Sequence, residues 1–356
     1  MARLMSMMMT VMCLGSILTT VMWYLQDDSL LLNYKPPPLK RKLSKTYKLC
    51  TGCQQIFDEV MKDYSYKWRK QEQNYMNIKS ELQSRCNGYD GAIITQLNTP
   101  LGSKITFETF RRAKVDSKGF IVGTKLFNHL PSEHPFKNKI WDTCAVVGNG
   151  GILSGSKCGP MIDSADFVFR CNLPPLDDEF MGDVGKKTSL VTANPSILMR
   201  MFGSLMENRL PFAKKLQDYG DALVLLPAFS LSKNTDMSIR ALYTLEDFKV
   251  PARVVFFNPQ YLIKLANFWG SKGIKPLRLS SGLMIVSLAL EVCSNVNVYG
   301  FWPYGNHPSE LYPLSHHYYD DVEAPPGHHA MPSEFAQLLS LHNRGVLRLR
   351  LGSCEK

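Results

Sequence analysis

No Asp-x-Asp occurs anywhere in the 356 residues, so the carboxylate pair that commonly holds a divalent metal against a nucleotide sugar is missing. A complete dinucleotide fingerprint is missing too. The stretch "CAVVGNGGILSGSKCG" (144–159) places Gly148, Gly150 and Gly151 after an apolar run, but the third fingerprint glycine would fall at 153, which is Leu153. Nor is this a P-loop: four residues lead from Gly150 to Gly155, yet Ser156-Lys157 follows where Lys-Ser/Thr is required. These absences disfavour a dinucleotide-dependent dehydrogenase and a P-loop enzyme. What survives is a set of small residues that lets backbone N–H groups approach an anion or nucleoside, with Asn149 able to hydrogen-bond a sugar or base.

The chain also lacks a usable N-glycosylation sequon, since Asn194-Pro195-Ser196 is blocked by its proline. It shows no internal repeat, and no arginine-rich tract that would favour nucleic acid. Acidic residues are in deficit, 31 against 41 basic, for a net charge of +10. That excess suits an anionic partner: nucleic acid, a membrane surface or an acidic small molecule. A merely solvated basic surface explains it equally well. With 45% hydrophobic and 20% charged residues the chain is globular, not disordered.

Residues 4–25, "LMSMMMTVMCLGSILTTVMWYL", carry no charge, and about 20 apolar residues suffice to cross a bilayer. Trp23 and Tyr24 sit where an interfacial aromatic belt would lie. No small-x-small cleavage site follows Ser16, so the segment reads as an uncleaved anchor. Orientation is contested within the sequence. Arg3 alone precedes the span, whereas Lys35, Lys40, Arg41, Lys42, Lys45 and Lys48 follow it, which would leave the body in the cytosol. Against this, Cys144, Cys158, Cys171, Cys293 and Cys354 are spread through the body as disulfides in an oxidising compartment would be, with buried free thiols as the alternative. A proline-rich basic stem follows the span. Then comes a helical neck up to Cys86, whose Cys50-x-x-Cys53 favours a disulfide, one involving Cys86 among the options, over a zinc site.

From about residue 141 onward, β-like runs alternate with helical stretches: "CAVVGN", "ADFVFRCN", "TSLVTAN", "ALVLLPA", "ARVVFFN" and "NVNVYGFW". The alternation predicts an α/β fold, Rossmann-like and doubly wound, with a mainly parallel sheet flanked by helices. Ligands of such sheets sit at the carboxyl ends of the strands. In "RLSSGLMIVSLALEVC" (278–293), Ser280, Ser281 and Gly282 fall at a helix start, where hydroxyls, free amides and the positive dipole end converge on an anion, or where Ser280 is an ordinary N-cap. Six of the eight histidines, His307, His316, His317, His328, His329 and His342, lie within 36 residues. Histidine can act there as base, proton donor or metal ligand.

Four stretches, in this order, resemble the sialylmotifs of animal sialyltransferases, glycosyltransferase family 29. Residues 144–196 resemble the large motif and 278–302 the small one. "HHYYDD" resembles the third, and His329-x4-Glu334 the very small motif. The variants "GNGG", "RCNLPP", "TANPS" and "GFWPY" look most like the alpha-2,8 branch. Within it the chain resembles the mono- and oligosialylating types, because no long basic tract precedes Cys144.

The resemblance implies inverting, metal-independent transfer of sialic acid from CMP-sialic acid, with no cofactor, on a GT-A-like variant of the fold. It implies that His329 is the general base and that His317 hydrogen-bonds the departing phosphate. Asn149, Asn172, Ser280, Ser281, Gly282, Trp302 and His316 would bind the donor, with Trp302 lining the cytidine pocket, and Asn194 and Ser196 would lie near donor and acceptor sugars. It pairs Cys144 with Cys293 and Cys158 with Cys354, leaving Cys171 a buried thiol. It also resolves the topology as type II in the Golgi membrane: 1–3 a short cytosolic tail, 4–25 the signal anchor, 26–85 stem and neck, 86–356 the lumenal catalytic domain. The expected partners are CMP-sialic acid, sialylated glycolipid or glycoprotein acceptors and the Golgi membrane, with a homodimer allowed and nucleic acid excluded. Acceptor contacts would fall in loops such as 304–314. The chain departs from the family in Ser281, where most relatives have threonine, in its missing sequon and in its short tail. A catalytically silent sialoglycan-binding protein on the same fold is the alternative, disfavoured by retention of His317, His329 and the Ser-Ser-Gly turn.

Overall fold

A computed structural model describes residues 52–64, 67–108, 119–274, 278–320 and 331–355. The expected anchor over 4–25 and the stem lie outside them, as do Cys50, His328 and His329. Among the described residues no helix is long and apolar enough to cross a membrane.

The six alternating runs become strands β1 (Trp141–Val147), β2 (Phe167–Arg170), β3 (Leu190–Thr192), β4 (Leu223–Leu226), β5 (Arg253–Phe256) and β6 (Cys293–Tyr299), and a further strand that the runs did not include, β7 (Arg348–Arg350), joins them. They form one sheet in the order β5-β4-β3-β2-β1-β6-β7, and every neighbouring pair is parallel. Strand order reverses between β1 and β6, which opens the crevice where doubly wound sheets bind ligands.

Side chains alternate across the sheet because strands have a period of two. Cys144 and Val146 enter one core layer, Ala145 and Val147 the other. Both faces are covered, which explains why the strand runs read as nearly continuous apolar stretches. One layer holds helices α1 (Cys53–Tyr64), α2 (Glu72–Arg85), α5 (Pro259–Ser271), α6 (Ser281–Val292) and α7 (Met331–Asn343). The other holds α3 (Pro195–Phe202) and α4 (Ser232–Asp247). Helix α6 is the hub: every residue from Gly282 to Val292 is buried, as expected of a helix that is apolar but for Ser287 and Glu291.

Residues read from sequence as a neck supply this same core. Phe57 of α1 and Tyr75, Ile78 and Leu82 of α2 are buried within it. Cys86 follows α2 as a buried free thiol, correcting the option of a disulfide through it. Burial among apolar neighbours pushes that thiol up to about 12. Glu291 of α6 accepts the Gly88 amide at 2.8 Å, so the segment after α2 is tied to the hub.

Among the described residues two disulfides are present, Cys144–Cys293 and Cys158–Cys354, spanning 149 and 196 residues. Cys144–Cys293 joins neighbouring strands β1 and β6 beneath the crevice, and both cysteines are fully buried. Cross-links that close loops this long restrain the unfolded chain most, and losing a native disulfide typically costs about 2–5 kcal/mol. A Cys144→Ala, Cys293→Ala double variant should therefore melt well below the parent in thermal unfolding under non-reducing conditions. An unchanged midpoint would mean that this cross-link does not restrain the fold.

Candidate active site

Three parallel strands end in the same way. β1, β2 and β3 finish at Val147, Arg170 and Thr192, and Asn149, Asn172 and Asn194 each follow two residues later. They form a connected rim. Asn172 takes the left-handed conformation, φ 58°, which asparagine tolerates better than most residues. Its N–H donates to Thr192 Oγ1 at 2.9 Å, and its Oδ1 accepts the Asn194 N–H at 2.9 Å. Asn149 Nδ2 donates to the Cys171 carbonyl at 2.8 Å. The Asn149 Oδ1 is buried with no hydrogen-bond partner among the described residues. An unpaired buried acceptor costs about 1–3 kcal/mol unless a donor reaches it. Cys171 itself is a buried free thiol, pushed up to about 12 by desolvation.

The glycine stretch beside Asn149 does less for a ligand than the sequence suggests. The Gly148 and Gly150 amides donate to the carbonyls of Tyr299 and Gly300 at 2.7 and 3.0 Å. A Cβ at Gly148 or Gly150 would meet the Gly300 carbonyl at 2.7 Å, and one at Gly151 would meet the Ser315 carbonyl at 2.2 Å. These glycines let the ends of β1 and β6 and the histidine segment approach one another.

Ser280 is the N-cap of α6: its Oγ accepts from Leu283 N at 3.1 Å. Its own two donors go to Glu334 at the start of α7, the N–H to Oε1 at 2.9 Å and the hydroxyl to Oε2. The dipole end that the sequence offers to a phosphate therefore already holds a buried carboxylate of the chain. Ser281, one residue on, is half-buried, and its Oγ lies 3.5 Å from Asn194 Nδ2, which joins α6 to the asparagine rim. Gly282 is dictated by packing, since a Cβ there would lie 2.6 Å from the Phe301 ring.

The histidine pair closes the other side of the crevice. His317 forms an antiparallel bridge with Gly150, and Tyr318 N donates to the Asn149 carbonyl at 2.9 Å. Asp320 holds His317 twice, through its backbone N–H at 3.0 Å and through Nδ1 at 2.6 Å, and the ring stacks on Tyr319. With Nδ1 engaged, Nε2 is the nitrogen left to meet a ligand. His316 lies against the same ring, centroids 3.9 Å apart. Burial first, and then the neighbouring imidazole, lower its pKa. The ligand atoms of His316, His317 and Asp320 fall within 4.8 Å of one another. That is close enough to share a cation, but the His317–Asp320 hydrogen bond already accounts for two of the three.

Trp302 is nearly buried. It is 7% exposed, packs against Phe57, Tyr304 and Phe335, and donates its indole N–H to the Asn306 carbonyl at 2.8 Å. Ser196 is exposed in the first turn of α3. His329 lies outside the described residues. The structure thus gathers Asn149, Asn172, Asn194, Ser281, His316 and His317 at the strand ends, with Ser280, Gly282 and Trp302 supporting them. It adds Glu334 and Asp320, to which the sequence reading assigned no role. Both stand inside the quoted motifs, and the three-residue spacing of Asp320 from His317 was the available signal.

The family model of glycosyltransferase family 29 (sialyltransferase) matches residues 93–346. Human alpha-2,8-sialyltransferase 8E is 45% identical over 302 residues, covering 85% of this chain and 78% of that protein. Human alpha-2,8-sialyltransferase 8F is 41% identical over 334 residues, covering 93% and 82%. The alpha-N-acetylneuraminide alpha-2,8-sialyltransferase of Xenopus tropicalis is 43% identical over 307 residues, covering 86% of each. With its motifs assembled around one crevice of a parallel sheet, the chain belongs to glycosyltransferase family 29, the sialyltransferases.

Proposed function

We propose that this protein transfers sialic acid from CMP-sialic acid to the 8-hydroxyl of a terminal sialic acid on a glycolipid or glycoprotein glycan. The observation that carries the reading is the convergence of Asn149, Asn172 and Asn194 with Ser281 and the His317–Asp320 pair at the switch point of the sheet. The alpha-2,8 linkage is supported by the relatives named above. In this mechanism the acceptor oxygen attacks the anomeric carbon as the bond to the CMP phosphate breaks, with inversion. His329 takes the acceptor proton, and His317, oriented by Asp320, offers Nε2 to the phosphate oxygen as its charge grows. Asn149 Oδ1 receives a donor group of the nucleotide sugar.

The topology belongs to the same proposal: a type II protein of the Golgi membrane with a lumenal catalytic domain. Disulfides persist in such an oxidising lumen, which supports this placement over the cytosolic one. The test is to incubate the protein with labelled CMP-sialic acid and sialylated acceptors, with and without chelator. Transfer to a terminal sialic acid, undiminished by chelator, is the expected result. No transfer to any sialoside alongside intact CMP binding would overturn the enzyme reading, and loss of transfer with chelator would overturn metal independence.

A further inference from the structure

Residues 303–314 connect β6 to the histidine pair, and the sequence placed acceptor contacts in this loop without saying which side chain makes them. Both ends are fixed in the site. At one end Gly300 accepts the Gly150 amide, and at the other the Ser315 carbonyl lies against Gly151. Between them the chain folds onto itself as a small hairpin. Leu314 N donates to the Gly305 carbonyl at 2.8 Å, His307 N to Tyr312 at 2.9 Å, and Leu311 N to His307 at 3.0 Å. Asn306 bridges Pro313 and donates its Nδ2 to the Leu311 carbonyl at 3.0 Å. The Asn306 carbonyl in turn accepts the Trp302 indole, so the hairpin is anchored in the core.

On this hairpin one aromatic side chain faces solvent with a prepared backing. The Tyr312 ring stacks on His307, centroids 4.8 Å apart and planes within 14°, yet Tyr312 is 41% exposed. His307 cannot turn away, because its Nδ1 accepts the backbone amides of Ser309 and Glu310 at 3.3 and 3.1 Å. Accepting both requires the neutral ring with its hydrogen on Nε2. A ring locked from behind, on a hydrogen-bonded hairpin rooted at both ends in the active site, loses little freedom when something stacks on its open side.

We propose that Tyr312 is the platform on which a pyranose of the acceptor glycan stacks, the sugar next to the accepting sialic acid. This rests on the sialyltransferase reading. An aromatic face carries negative charge density, and the axial C–H bonds on one side of a pyranose present a positive, apolar edge to it. The contact needs the ring and not the phenol hydroxyl. His307 is its buttress.

The test is initial-rate kinetics on the full-length protein in detergent, with two acceptors: a sialyl-galactosyl-glucose trisaccharide, and the methyl glycoside of sialic acid, which lacks the second sugar. Tyr312→Ala should raise the KM for the trisaccharide by about two- to tenfold. It should leave kcat, the KM for CMP-sialic acid and the KM for the methyl sialoside unchanged. Tyr312→Phe should behave like the parent, and His307→Ala should shift the trisaccharide KM in the same direction as Tyr312→Ala. An unchanged trisaccharide KM in Tyr312→Ala, or an equal rise for both acceptors, overturns the platform while leaving the enzyme reading intact. Absence of transfer by the parent to these and every other sialoside removes the reading itself, and the platform with it.

Discussion

His329→Ala is expected to lower the rate of sialic acid transfer by about 10²- to 10⁴-fold, the usual contribution of a general base, while CMP binding stays at the parent level. The expectation comes from the family motif. His329 stands five residues before Glu334, which is fixed to Ser280 at the start of α6. Ser281, which touches the asparagine rim, is on the same helix start. In the proposed mechanism donor affinity is set by groups that the substitution leaves in place, so rate and binding should separate. In a pH profile of kcat/KM, the acid limb due to the base should disappear from the variant. Turnover near the parent level would show that another group takes the proton. His317 would then be the next candidate, because Asp320 occupies its Nδ1 and leaves Nε2 available.

The parts of this molecule legible in sequence are those governed by local pattern. Apolar runs bounded by polar residues mark the strands because both faces of a parallel sheet are covered. The runs "CAVVGN", "ADFVFRCN" and "TSLVTAN" even display the asparagine rim, each closing on the residue that stands two places beyond its strand. The N-cap at Ser280 is equally local. What sequence hides is whatever depends on a partner far along the chain. Gly148, Gly150 and Gly151 look like a cradle for an anion, but their shape answers to Gly300 and Ser315, about 150 residues away. Nothing near Trp302 in sequence announces that Phe57, from a segment that reads as a neck, packs on it. The hydroxyl and amide of Ser280 look free until Glu334 arrives from another helix.

That last contact supports the second large prediction. Glu334→Ala should lower stability by about 3 kcal/mol, since hydrogen bonds to charged groups contribute roughly 1.5–3 kcal/mol each and two donors of Ser280 would be left buried without this acceptor. Transfer should fall further than stability explains. Without the carboxylate the Ser280 hydroxyl can rotate, the cap on Leu283 weakens, and Ser281 and Gly282 move against the asparagine rim. Displacements of about 1 Å in groups that position a substrate can cost on the order of 10²-fold in rate. Glu334→Gln separates the two effects. It keeps the shape and one acceptor oxygen, so it should recover much of the thermal midpoint and part of the activity. If Glu334 instead took part directly in proton transfer, Gln would be as inactive as Ala while folding nearly as stably as the parent. An alanine variant with the parent's midpoint and the parent's KM for CMP-sialic acid would refute the clamp. The contact would then be a neighbourly arrangement of two buried groups, and α6 would be held at its N-terminus by Ser280 alone.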